Sequence, residues 1–296
     1  MKDTHLIKTV NGYDIVNDPE KGYIHVSPTP SEETLKKLYQ IEFYANEKKD
    51  YIDNTLKDLE WWETIYRDKY DTFEEHINSK NKKILDIGCG SGYFLQYGKN
   101  RGWDGYGIEP SEKASSHAIN NGLNVKNSSF KKEIFTNTKF DVVHLNQVLE
   151  HISHPEQLIA DIHQISKKGS LLCISVPNEF SPLQTILHKD LDFNAWWLSP
   201  PHHLNYFTVD SLRQFISKNG YEVILEETTF PMELFLLMGD NYIDNPTLGR
   251  DVHQKRKKFD INLSKHNNDF KRKFYQSLAK LNLGRTIIIY AKKVEK

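Results

Sequence analysis

Four short apolar runs, separated by stretches of helical periodicity, constrain this chain more than any other feature. They are Ile84-Leu85-Asp86-Ile87, Tyr106-Gly107-Ile108-Glu109, Phe140-Asp141-Val142-Val143-His144-Leu145 and Leu171-Leu172-Cys173-Ile174-Ser175-Val176. Helical segments are expected at about 93–101, 111–121, 155–167 and 209–218. Strands alternating with helices of that length pair in parallel, with helices on both faces of the sheet. Tyr221 to Thr228 gives a further strand, and Arg285-Thr286-Ile287-Ile288-Ile289-Tyr290-Ala291 is one that rejoins the sheet. The fold class is therefore α/β, a doubly wound sheet spanning 79–230 with its last strand in 284–296.

Two regions break the alternation. In 1–78, an accessory region, Tyr13-Asp14-Ile15-Val16 and Tyr23-Ile24-His25-Val26 form a hairpin through Asp18-Pro19-Glu20-Lys21-Gly22. Pro28, Pro30 and Ser31 then end the strand and open a helix with Leu35, Leu38 and Tyr39 on one face. A second helical stretch, from about Tyr51 to Ile77, carries Trp61, Trp62, Tyr66 and Tyr70. The pair reads as amphipathic helices packed on the main domain or as a lid over a ligand. In 231–283, Gly239, Pro246 and Gly249 interrupt the pattern, which reads as a helical insertion before the last strand. Its basic clusters, Lys255-Arg256-Lys257-Lys258 and Lys271-Arg272-Lys273, are expected on a solvated helix face, with an anionic substrate or partner as the other reading.

Composition narrows the function. Charged residues at 27% and hydrophobic ones at 38% exclude a disordered chain and a membrane protein. No apolar run approaches the roughly 18–20 residues of a membrane span, and Met1-Lys2-Asp3-Thr4-His5 lacks the apolar core of a secretory signal. Cys89 and Cys173 give neither a disulfide framework nor a metal set. A net charge of −1 provides no global attraction to nucleic acid or anionic lipid. The expectation is a cytoplasmic protein acting on a small molecule, its oligomeric state left open.

The chemistry concentrates in Asp86-Ile87-Gly88-Cys89-Gly90-Ser91-Gly92, which follows a strand and opens a helix. Glycines let backbone approach a ligand closely, and the helix N-terminus beyond favours an anion. Glu109 ends the next strand, where an acid can accept hydrogen bonds from ribose hydroxyls. The spacing is G-x-G-x-G with an acid two residues ahead, not the G-x-G-x-x-G of dinucleotide sites. That argues against a nicotinamide oxidoreductase.

Ile84 to Gly92 resembles motif I of the class I S-adenosylmethionine-dependent methyltransferases. Tyr106-Gly107-Ile108-Glu109-Pro110-Ser111 resembles their second motif, and Phe140-Asp141-Val142-Val143 to Val148-Leu149-Glu150-His151 their strand-four block. Pro201-His202-His203-Leu204-Asn205-Tyr206-Phe207-Thr208 resembles a block of the subgroup with ubiquinone-biosynthesis-like and sugar-cluster members. The resemblance implies a Rossmann-like seven-stranded sheet, mostly parallel, whose last strand is antiparallel. It implies S-adenosyl-L-methionine as cofactor and S-adenosyl-L-homocysteine as product. By position, Asp86, Gly88 and Gly90 line the methionine part, Glu109 holds the ribose, Ser129 and Phe130 flank the adenine, and Cys89, Gly92 and Pro110 are cofactor-binding with them. Asn146 and Gln147 contact the methionyl end through backbone groups.

Methyl transfer to oxygen or nitrogen needs positioning and, for some acceptors, a base with a pKa near 7. His151, His202 and His203 qualify, since all should face the carboxyl edge of the sheet; each could instead only brace its loop. A metal site from His151, His154, His202 and His203 lacks a carboxylate or cysteine at a recognisable spacing, so no metal is expected. Trp196, Trp197, Tyr206, Phe207, Tyr44 and Tyr51 are candidates to shape the acceptor pocket or simply to pack loop on lid. The function expected is methyl transfer to a small molecule, most readily a hydroxyl oxygen of a sugar, quinone or other metabolite. A non-catalytic cofactor-binding protein is the alternative. A nucleic-acid methyltransferase is disfavoured because Asn146-Gln147-Val148-Leu149 stands where base-modifying relatives carry N/D-P-P-Y/F.

Overall fold

The computed structural model describes residues 4–37 and 55–294. Leu38, Tyr39, Tyr44 and Tyr51 lie outside them. The chain begins with β1 (His5–Val10), β2 (Tyr13–Asp18) and β3 (Tyr23–Ser27), then α1 (Glu32–Lys37) and α2 (Leu59–His76). The core follows as β4 (Lys83–Ile87), α3 (Tyr93–Asn100), β5 (Asp104–Ile108), α4 (Glu112–Asn120), β6 (Asn124–Lys126), β7 (Phe140–Asn146), α5 (Pro155–Ile165) and β8 (Ser166–Pro177). After it come α6 (Pro182–Lys189), β9 (Asn205–Tyr206), α7 (Val209–Lys218) and β10 (Tyr221–Thr228). The insertion consists of α8 (Glu233–Leu237), α9 (Pro246–His266) and α10 (Asn268–Lys280), and β11 (Thr286–Lys293) closes the fold.

Seven strands form the main sheet in the order β10-β11-β8-β7-β4-β5-β6. β11 is antiparallel to both its neighbours, and the pairs from β8 to β6 are parallel, as the sequence led us to expect. Because side chains alternate across a strand, the apolar runs feed two cores. Leu85, Leu145, Leu172 and Ile174 pack with Ile159, Leu212 and Phe215 on one face. Ile84, Val142, Cys173 and Tyr290 pack on the other with Tyr70 and Phe73 of α2 and Phe94 and Leu95 of α3. The aromatic helix is thus a layer of the core and not an appendage.

A second sheet, β1-β2-β3-β9, is antiparallel throughout. The hairpin was legible, but β1 was not: it exposes Leu6 and Ile7 and has no buried face to pattern it. β9 comes from the loop after β8, pairing Tyr206 with Ile24 and Asn205 with His25. Leu35 of α1 joins Ile15, Val26, Trp197, Leu204 and Tyr206 in the core beneath this sheet.

The insertion corrects the reading of its basic clusters as a solvated face. Lys257 and Lys271 are buried, as is Asp260. Lys257 meets Asp58 at 2.5 Å, Lys271 meets Asp68 at 2.6 Å, and Arg272 bridges Glu227 at 2.9 Å and Thr72 at 2.6 Å. Trp61 donates its indole N–H to Asp260 at 2.8 Å. Acids on and beside α2, far away in sequence, draw these cations inward. Lys255 and Lys273 do remain on the surface.

Candidate functional site

The parallel strands deliver their C-terminal ends to one edge, where ligands bind in open α/β sheets. At the exit of β4, Gly88, Gly90 and Gly92 have φ of 74°, 53° and 84°, the left-handed region that glycine enters without a Cβ penalty. The amides of Gly88 and Cys89 both donate to Ile108 O, at 2.8 and 3.1 Å, tying this turn to the end of β5. Glu109 sits there, fully buried, its Oε2 accepting from Gly90 N at 2.9 Å and its Oε1 from Ser111 N at 2.7 Å. Pro110, half-buried, and Glu109 are held from behind by Asn127, whose amide donates to both carbonyls at 3.1 and 3.0 Å.

The glycines divide their work. A Cβ on Gly88 would lie 2.6 Å from Val148 Cγ2, and one on Gly92 would lie 2.5 Å from Leu123 Cδ1 and 2.9 Å from Ala118 Cβ. Gly92 therefore serves the packing of α3 on α4, although it was expected at the cofactor. Cys89 is buried, its thiol pushed well above its ordinary range by desolvation and by Asp86 and Glu109, so it is inert lining.

Asp86 is buried and accepts the Nδ1 proton of His144 at 2.7 Å. His144 Nε2 in turn accepts from Lys69 Nζ at 2.9 Å, and the same ammonium reaches Asn146 Oδ1 at 3.2 Å and Ser175 Oγ at 2.9 Å. Sequence reasoning missed Lys69 and His144. The signal was a lysine amid the apolar face of α2, between Tyr66 and Tyr70. Gln147, just beyond Asn146, is exposed with φ 56° and donates its amide to Ser175 O at 2.8 Å. A non-glycine residue in that region is a local strain of the kind that collects at functional sites.

Ser129 is exposed and Phe130 packs half-buried against the core, whereas Ser128 buries its hydroxyl with no protein partner. An orphaned buried hydroxyl there, with Glu109 and the left-handed glycine turn, fits a nucleoside with a polar edge.

His151 and His203 come together from two loops, their rings 5.2 Å apart at 70°. His151 Nδ1 donates to His202 O at 2.6 Å, so its Nε2 carries the lone pair; that nitrogen lies 3.6 Å from Glu150 Oε1. His203 Nδ1 donates to the buried Glu179 Oε1 at 3.0 Å. Burial opposes a charge on His203, but the hydrogen bond and charge of Glu179, with Glu150, outweigh it and raise its pKa. His202 thus contributes its carbonyl, and its ring is half-buried. His154 is exposed at the start of α5, away from the set imagined for a metal. Ligand atoms of Glu150, His151 and His203 do lie within 4.8 Å of one another, so the carboxylate missing from that set is Glu150. Of the aromatics, Phe207 is in the core between Tyr23 and Phe215, and Tyr206 packs on Phe180. Trp196 is half-buried against Trp197, whose indole N–H is buried without a partner.

A family model described as a methyltransferase domain matches residues 59–226, more than half of the chain. The chain is similar to a ubiquinone biosynthesis O-methyltransferase of Azoarcus sp. strain BH72, 32% identical over 117 residues, 37% of this chain and 50% of that protein. The enzyme of the same name from Coxiella burnetii strain CbuK_Q154 is 26% identical over 206 residues, 66% of this chain and 86% of that one. The chain therefore spans half the length of one such relative and most of the other. Among solved structures, a SAM-dependent methyltransferase from Archaeoglobus fulgidus superposes with a TM-score of 0.51 at 17% identity, covering 82% of this chain and 99% of that one. The plantazolicin methyltransferase BpumL does so with a TM-score of 0.54 at 14% identity, covering 88% and 94%. At these identities the two structures speak for the fold.

Proposed function

This chain belongs to the class I S-adenosylmethionine-dependent methyltransferases, and we propose that it methylates a hydroxyl oxygen of a small-molecule acceptor. S-adenosyl-L-methionine, when bound, supplies a methyl group already activated on a sulfonium. The observation that carries the reading is the meeting of the glycine turn with Glu109, whose carboxylate is braced by the amides of Gly90 and Ser111. Asp86, Gly88 and Gly90 would hold the methionine part, Glu109 and Pro110 the ribose, and Ser128 to Phe130 the adenine. The relatives of known name are O-methyltransferases, which supports oxygen as the acceptor atom.

The protein's own work is then to place the acceptor and take its proton. His203 is the better supplied base. Glu179 fixes its tautomer and stabilises the imidazolium that forms, the logic of a carboxylate–histidine pair. His151, held by His202 O with its Nε2 lone pair free of that bond, is the second candidate, and one of the two accepts the proton while the other bonds the acceptor. Proton removal of this kind contributes about 10²–10⁴-fold.

A thermal shift with S-adenosyl-L-homocysteine against NAD tests the cofactor half. Ligand at about 100 times its dissociation constant adds ~2.7 kcal/mol, and a shift of about 5 °C or more is expected with the nucleoside alone. Phenolic and sugar acceptors, followed by methyl transfer from labelled cofactor, test the other half. No shift at any concentration overturns the reading.

A further inference from the structure

The buried ammonium of Lys69 has no place in the chemistry described so far. Burial lowers the Lys69 pKa from its ordinary value, and its nitrogen lies within hydrogen-bond reach of three groups: His144 Nε2 at 2.9 Å, Ser175 Oγ at 2.9 Å and Asn146 Oδ1 at 3.2 Å. Lys69 stands on α2, while those acceptors stand on β7 and β8, beneath the carboxyl edge. Because His144 Nε2 accepts, its proton must sit on Nδ1, where Asp86 Oδ1 takes it at 2.7 Å. Phe94 stacks on the imidazole at 4.1 Å and 28°, fixing the ring plane.

We propose that Lys69 is a positioning residue for cofactor binding: it holds His144 by its Nε2 and thereby the orientation of Asp86 on the other side of the ring, and it pins Asn146 directly. The proposal deepens the reading above and rests on Asp86 and Asn146 flanking the methionine part. Burial and the neighbouring ammonium press His144 down to about 4, so the imidazole is neutral at ordinary pH and can relay only one way. Replace the lysine and Nε2 loses its buried partner while Nδ1 stays bonded to Asp86, so the ring and the carboxylate it carries are held from one side only. Docking of α2 is in this way written into the geometry of the cofactor acid.

Two measurements test it. In the free wild-type protein, ¹⁵N-resolved NMR of the histidines should show His144 protonated on Nδ1 and bare on Nε2. Calorimetry with S-adenosyl-L-homocysteine should show Lys69→Met weakening binding about tenfold or more, the equivalent of a buried hydrogen bond or two. His144→Phe should weaken it as well, and the double variant should lose less than the product of the two single losses, since Lys69 and His144 share one line to Asp86. Lys69→Met with wild-type affinity, fully multiplicative losses in the double variant, or a wild-type His144 protonated on Nε2 overturns the proposal. Should Lys69→Met not fold, His144→Phe, which breaks the same line to Asp86, carries the test, and wild-type affinity in it overturns the proposal. A wild type that does not bind the nucleoside at all defeats the cofactor site, a result distinct from wild type and variant binding equally.

Discussion

His203 donates its Nδ1 proton to Glu179 Oε1 across 3.0 Å, joining the loop after β8 to the loop before β9. The raised pKa of His203 has a defined sign for both rate and stability. A base works in its neutral form, so turnover should climb with pH through a value above histidine's ordinary 6.5. In Glu179→Gln the largest favourable contribution is gone and burial remains, so the limb should move to lower pH. A kcat profile whose limb stays in place removes His203 as the base. A folded-state pKa above the unfolded one stabilises the protein fully below about 6.5 and ceases to do so as pH rises through the folded value. The melting temperature of Glu179→Gln should therefore fall furthest behind wild type in mildly acidic buffer, and draw closer in alkaline buffer.

Glu109→Ala should weaken S-adenosyl-L-homocysteine binding by about 1–3 kcal/mol, the range for leaving buried polar partners unpaired. Two amides, of Gly90 and Ser111, lose their acceptor along with any ligand hydroxyl. Calorimetry reads it. Unchanged affinity would remove the ribose assignment.

Gly98→Ala should destabilise the fold although alanine is the better helix former by about 1 kcal/mol. A Cβ there would lie 2.1 Å from Tyr70 Oη and 2.4 Å from its Cζ. Tyr70 is wholly buried among Phe73, Phe94 and Trp103, so it has nowhere to withdraw. Overpacking of this kind costs about 1–3 kcal/mol, and a melting temperature several degrees below wild type is expected. A rise would show that α2 and α3 slide apart freely.

Dialysis against a chelator should leave melting temperature and methyl transfer unchanged, because the role proposed for His151 and His203 is to take a proton, which a cation on the same nitrogen would block. A loss restored by added zinc or magnesium would make Glu150, His151 and His203 a metal site.

What was legible in the sequence was local. The glycine turn, the acid at the end of β5 and the alternation of strands with helices are each carried by contiguous residues whose period or backbone demand survives any surroundings. The pairings that make the site are not local. Nothing near His203 announces Glu179, and nothing near Lys257 announces Asp58, so buried cations read as solvated ones. Ser128 and Ser129 differ by one position in a segment without periodicity, where only the packed chain decides which hydroxyl turns inward. Lys69 was recoverable in principle, since a lysine on an apolar helix face must find acceptors somewhere.

Two residues, Asn205 and Tyr206, complete the N-terminal sheet against His25 and Ile24, while the Asn205 amide also clasps Leu149 O at 3.0 Å and Ile152 O at 2.7 Å. The strand that borders the paired histidines is thereby tied both to the N-terminal sheet and to the turn that follows β7. Exchanging acceptor preference with a relative by swapping the segment after β8 alone would leave β3 facing a stranger. The N-terminal hairpin and that segment form a single cassette, to be transplanted together or not at all.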